Sequence, residues 1–92
     1  SLEAERLIKK AIELKPMLAE AHSTLGIILR DNGKLKDAER SSRRAIELKP
    51  NVAINYHNLS LIEYFFNKLR IILLTPTAAG VTLVLYNPQK GG

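Results

Sequence analysis

The sequence predicts an all-α fold: a short solenoid of about two stacked helix-turn-helix units, followed by an irregular, strand-prone C-terminal tail. Three observations carry this prediction. Ala45-Ile46-Glu47-Leu48-Lys49-Pro50 repeats Ala11-Ile12-Glu13-Leu14-Lys15-Pro16 at a spacing of 34 residues. The same period lays Glu3-Ala4-Glu5-Arg6 on Asp37-Ala38-Glu39-Arg40, and Gly33-Lys34-Leu35 on Asn67-Lys68-Leu69. Between these landmarks the apolar residues recur at helical spacing. A fixed period of this size marks units that bury their apolar faces only by stacking on their neighbours. The register fails after Leu69. Residues 2–14 are then the second helix of a partial unit, 19–50 a full unit, and 52–69 the first helix of a further one. Residues 70–92 form a hydrophobic tail outside the repeat.

Composition narrows the function. Ninety-two residues make one domain at most, with a small core. There is no cysteine, which excludes disulfides, thiolate metal sites and cysteine nucleophiles. The net charge is +5, but both signs are mixed along the repeats, as on a solvated helix surface. No aromatic residues interleave with the basic ones, so nucleic acid is not the expected partner. The N-terminus reads as a charged helix rather than a leader, and the chain opens in mid-repeat. These features point to a cytoplasmic piece of a longer array.

In chain order, Leu2–Leu14 is expected to be helical, with Leu7, Ile8, Ala11, Ile12 and Leu14 as its apolar stripe. Glu3 and Glu5 suit the positive end of the helix dipole. Glu5 and Lys9 form an i,i+4 pair, repeated by Glu39 and Arg43, and this pair is expected to mark the outer, wet face. Pro16 stops the helix, since the residue before a proline avoids the α region. Ala19–Asp31 follows, with Ala21, Leu25, Ile28 and Leu29 facing inward. Gly26 in its middle costs about 1 kcal/mol relative to alanine. Its presence implies close approach of a neighbouring helix, for which Ala38 and Ala45 are small enough. Asn32-Gly33 ends this helix and Leu35–Leu48 is its partner, stopped in turn by Pro50. From Val52 to about Asn67 the pattern drifts: Ser60 stands for Gly26, Glu63 for Leu29 and Asn67 for Gly33.

The next partner helix would span residues 69–82, but Pro76 and Gly80 lie inside it. An interior proline costs roughly 3 kcal/mol or more. Two readings remain. The helix from Val52 runs on to about Leu74, along Leu59, Ile62, Phe66, Leu69 and Leu73; or it stops near Asn67 and Ile71–Leu74 is extended. Val81–Tyr86 reads as a short strand, free of charge and able to pair with another chain. The apolar run is too short for a membrane span of about 20 residues.

A 34-residue helix-turn-helix unit with Leu25-Gly26, Ala38, Ala45 and Pro50 at these places resembles the tetratricopeptide repeat family, over residues 2 to about 69. His22 departs from the usual large aromatic, which Tyr56 restores one unit later. Ser42 departs from a larger apolar residue, which should weaken packing. The resemblance implies a right-handed superhelix of antiparallel helix pairs whose first helices line a concave groove. Carried over, that groove would show Glu20, Ser23, Ile27, Arg30 and Asp31 from one lining helix, and Ile54, His57, Leu61, Tyr64 and Phe65 from the next. Such a mixture suits an extended peptide or an amphipathic helix. Some members of the family clamp a terminal carboxylate with Lys and Asn. Here Ser23 and Ile27 stand at the expected places and only Asn58 matches, so no clamp is expected.

Nothing in the sequence assembles a catalyst. His22 and His57 have no second ligand at suitable spacing, and packing or groove lining is the expected role of both. There is no phosphate-binding glycine loop and no nucleophile, base and orienting group that could be brought together. No metal and no cofactor are expected. Arg40-Ser41-Ser42-Arg43-Arg44 resembles a basic kinase site but lies within a helix, so a solvated face is expected. Asn58-Leu59-Ser60 spells a glycosylation sequon that is expected to be accidental. Tyr56, Tyr64, Phe65 and Phe66 are expected mostly in the core, with Tyr64 and Phe65 able to reach the groove. The expected function is therefore a non-enzymatic scaffold that binds a protein or peptide. The alternative is a self-assembling element, a homo-oligomer joined through its exposed ends or its tail.

Overall fold

The computed structural model describes residues 1–74, which form four helices and no strand: α1 (Leu2–Leu14), α2 (Ala19–Asp31), α3 (Leu35–Leu48) and α4 (Ala53–Leu74). The strand expected at Val81–Tyr86 lies outside the described residues. Each helix lies against the next in the chain, and α2 also touches α4.

The ends of the helices repeat with the sequence. The Lys15 N–H donates to the Ala11 carbonyl, and one period later the Lys49 N–H donates to Ala45, both at 2.9 Å. Each lysine precedes a proline and leaves the helical region, with φ −138° and −141°. A His22 ring nitrogen lies 2.7 Å from the Pro16 carbonyl oxygen. The Tyr56 hydroxyl donates to the Pro50 carbonyl at 2.8 Å. Histidine and tyrosine thus tie the same turn to the helix that follows it. This is a structural use for His22 and needs no metal.

The α2–α3 turn depends on Gly33, at φ 81°, a left-handed conformation that costs glycine little. The Lys34 N–H reaches back to the Leu29 carbonyl at 2.8 Å and Gly33 to Arg30 at 3.0 Å, closing the helix in a Schellman pattern. Asn67 occupies this position one period later, and no turn forms. Instead α4 continues to Leu74, which decides between the two readings of residues 67–74 in favour of the continuous helix.

The core is small. Leu25, Leu29, Ala38 and Ile62 form its buried cluster, with Ile8, Ile12 and Phe66 partly buried against it. Several expectations change here. Leu7 and Leu14, assigned to the apolar stripe of α1, are 54% and 79% exposed. Tyr56 is also exposed, because its hydroxyl faces the Pro50 turn rather than the interior. Of the four aromatics in α4, only Phe66 joins the core.

Gly26 does mark a close approach, but its immediate neighbour is Ser42. A Cβ at position 26 would lie 2.7 Å from the Ser42 Oγ. Ser42 is 1% exposed, and its hydroxyl accepts a hydrogen bond from Asn58 Nδ2 at 2.9 Å. A larger apolar side chain at position 42 would have no room. The serine is a fitted contact rather than a weak one. Ser41 is buried as well, so the solvated face expected of residues 40–44 holds for Arg40 and Arg43 but not for the serines between them.

Glu5 overturns a further expectation. It is only 5% exposed, and Lys9 donates to it at 2.8 Å. Lys34 also donates to it, at 3.0 and 3.1 Å, as does Asn32 at 3.2 Å. The pair that seemed to mark the outer face joins α1 to the α2–α3 turn. The hydrogen bond from Lys9, then those from Lys34, hold the Glu5 carboxyl at about 2, against a usual value of 4.5, although burial opposes the charge. A carboxylate lowered in the folded state contributes stability above its unfolded pKa and loses it as pH falls towards the folded one. The thermal stability of the wild-type chain should therefore fall as pH falls from 4.5 to about 2. Glu5→Gln should start less stable at neutral pH and show a shallower dependence in that window. Equal slopes for the two proteins would show that Glu5 is not held this way.

Candidate binding surface

None of the ten residues expected in the groove is buried. On α4, Ile54, His57, Leu61, Tyr64 and Phe65 recur every three or four residues and share one face. Ile54 is 52% and Tyr64 54% exposed, large apolar surface for a helix to leave in water. Asn55, Asn58 and Ile62 lie on the adjacent face and are buried, which turns the first set outward.

Five of the ten residues fall into two patches. Glu20, Ser23 and Ile54 line a cavity of about 210 Å³ at the first turns of α2 and α4, together with Lys49 and Asn55. There the Ser23 hydroxyl donates to Asn55 Oδ1 at 2.5 Å. Lys49 donates to Glu20 at 3.3 Å. A hydrogen bond to its own backbone, then Lys49, holds the Glu20 carboxyl below its usual range. The second patch is on the later turns of α4. Tyr64 and Phe65 meet edge to face at 5.9 Å, and the Lys68 ammonium lies 5.7 Å from the centre of the Tyr64 ring. Between the patches, Ile27 and Leu61 are half-buried, and His57 and Asp31 are open to solvent. Arg30 is committed to the protein, donating to Asn58 Oδ1 at 2.5 Å and to Asp31.

Sequence reasoning missed the buried asparagines. Asn55 and Asn58 are each 3% exposed and carry buried polar contacts from α4 to α2 and α3. Their signal was available: both fall on the helix face that also carries Ile62. With its side chain spent on Ser42 and Arg30, Asn58 is no free hydrogen-bonding group for a ligand's carboxylate.

A larger cavity, about 680 Å³, was also missed. It opens between the start of α3 and the second half of α4, lined by Lys36, Glu39, Glu63, Phe66, Arg70 and Leu73 among others. Part of its wall, Leu69, Arg70 and Leu73, lies on the turns of α4 beyond Asn67. One period earlier, the Gly33 turn folds Asn32 and Lys34 over Glu5. Glu39, the counterpart of Glu5, instead binds Arg43, which also reaches Glu63 at 2.8 Å.

Among the described residues no cluster of potential metal ligands occurs, and no helix is long and apolar enough to cross a membrane. Comparison with protein-family models, curated proteins and solved structures found no match to this chain.

Proposed function

We propose that this chain is a peptide- or helix-binding module of the tetratricopeptide type, without catalytic activity of its own, whose ligand lies along the outer face of α4 beside α2. The observation that carries this reading is the stripe of exposed Ile54, Tyr64 and Phe65 with half-buried Leu61 on one helix face, bordered by charge from Glu20, Asp31 and Lys68. Apolar anchors at helical spacing with a polar rim suit an amphipathic helix or an extended peptide. The repeated turn contacts at Pro16 and Pro50 support the repeat reading, as does the chain-neighbour packing of the helices.

The test is a displayed library of amphipathic peptides screened against the full chain, with binders quantified by fluorescence anisotropy. Leu61→Glu and Tyr64→Glu should each weaken a selected peptide at least tenfold, with helical circular dichroism unchanged, because Tyr64 is exposed and Leu61 lies outside the core cluster. Binders indifferent to both changes would place the ligand elsewhere, and the cavity beside Phe66 would be the next surface to probe.

A further inference from the structure

The period allows each helix to be compared with its counterpart. On α3, Ala38, Ser41 and Ala45 are buried, and Ala38 packs with Leu25 and Leu29 of α2. The same positions on α1 are Ala4, Leu7 and Ala11. There Leu7 is exposed and both alanines are only half-buried. α1 thus carries an apolar face that is covered on its counterpart. The reverse holds for α4. Leu25, Gly26 and Leu29 of α2 are buried, whereas their counterparts Leu59, Ser60 and Glu63 on α4 are half-buried, exposed and exposed.

Among the described residues, no further helix covers this face of α4 as the period calls for. Residues 69–74, which should begin that helix, are instead the last turns of α4. What the face lacks is a helix like α3, and α1 is such a helix: it shares Ala-Ile-Glu-Leu-Lys-Pro with α3 and follows its pattern from Glu3 onward.

We propose that α1 of a second copy of this chain docks on the Leu59–Ser60–Glu63 face of α4, in the register that α3 takes on α2. The contact continues an interface already present inside the molecule. Its two sides differ, α1 on one copy and α4 on the other, so copies join head to tail and more than two can add in sequence. The counterpart of the Gly26–Ser42 contact is Ser60 of one copy against Ile8 of the next. That pair is bulkier, so the two helices sit further apart than α2 and α3. A 13-residue helix is about 20 Å long. One such helix gives a contact at the low end of stable interfaces, roughly 1,200 Å² or less. Association is therefore reversible and rises with concentration.

The absence of cysteine makes the register directly testable. Ser60→Cys and Ile8→Cys chains, mixed under a mild oxidant, should form a covalent dimer. Each alone should form little, and the double variant should give a ladder of higher species. Independently, light-scattering mass of the full chain should rise with concentration. Leu7→Glu should hold it at the monomer with unchanged helical signal, since Leu7 is not in the core. Leu61→Glu, on the other face of α4, should associate as wild type does. A constant monomer mass for the wild-type chain overturns the proposal. So does association that survives Leu7→Glu, or a Ser60→Cys chain that pairs with itself as readily as with Ile8→Cys.

Discussion

Ile62→Ala should destabilise the chain by about 2–5 kcal/mol, as expected for large-to-small changes at fully buried sites. Ile62 is the one large apolar side chain among the described residues that is 0% exposed. It holds α4 to Leu25, Leu29 and Ala38. The alternative anchors on that helix are few: Phe66 is only partly buried, and Asn55 and Asn58 supply hydrogen bonds rather than apolar area. A domain of this size has little reserve, since stability scales at roughly 0.05–0.15 kcal/mol per residue. The expected result in urea, followed by circular dichroism, is a midpoint close to zero denaturant or an unfolded chain. Ile62→Val should lose only about 0.5–1.5 kcal/mol and keep the cooperative transition. A loss below about 1 kcal/mol for the alanine variant would mean that α4 is not held by this contact.

Gly26→Ala should destabilise as well, against the helix-propensity trend. In an exposed helix this change gains about 1 kcal/mol. Here the new methyl would stand 2.7 Å from the Ser42 Oγ and 3.4 Å from Asn58 Nδ2 and the Ser42 nitrogen. The hydroxyl cannot turn aside without releasing the hydrogen bond from Asn58, and overpacking of this kind costs about 1–3 kcal/mol. The net expectation is a loss of up to about 2 kcal/mol, at roughly 4–8 °C of Tm per kcal/mol in a domain of this size. Ser42→Ala removes the clashing oxygen but strands a buried amide, at about 1–3 kcal/mol. The double variant should therefore cost less than the sum of the two, a coupling that appears only if the side chains meet. A Gly26→Ala chain more stable than wild type would show that the two helices do not approach this closely. Ser60→Ala, at the counterpart position on the open face of α4, should be nearly neutral in the monomer.

The helices, their limits at Lys15, Asp31 and Lys49, and the repeat that relates them were legible from the sequence. They rest on local chemistry: proline after Lys15 and Lys49, glycine at 33, and apolar spacing between. The outer set on α4 was named from the family resemblance; helix geometry accounts only for its residues sharing one face, three and four apart. What each face meets was decided by the tertiary structure. Glu5 and Lys9 look like any exposed i,i+4 pair until the α2–α3 turn brings Lys34 and Asn32 over the carboxylate. Ser42 looks like a packing defect until Gly26 and Asn58 close on it. Leu7 and Ser41 hold matching positions in the repeat, yet one is open and the other covered. Sequence position determines the shape each helix offers. Burial depends on which helix stands opposite, and that is a property of the assembled chain.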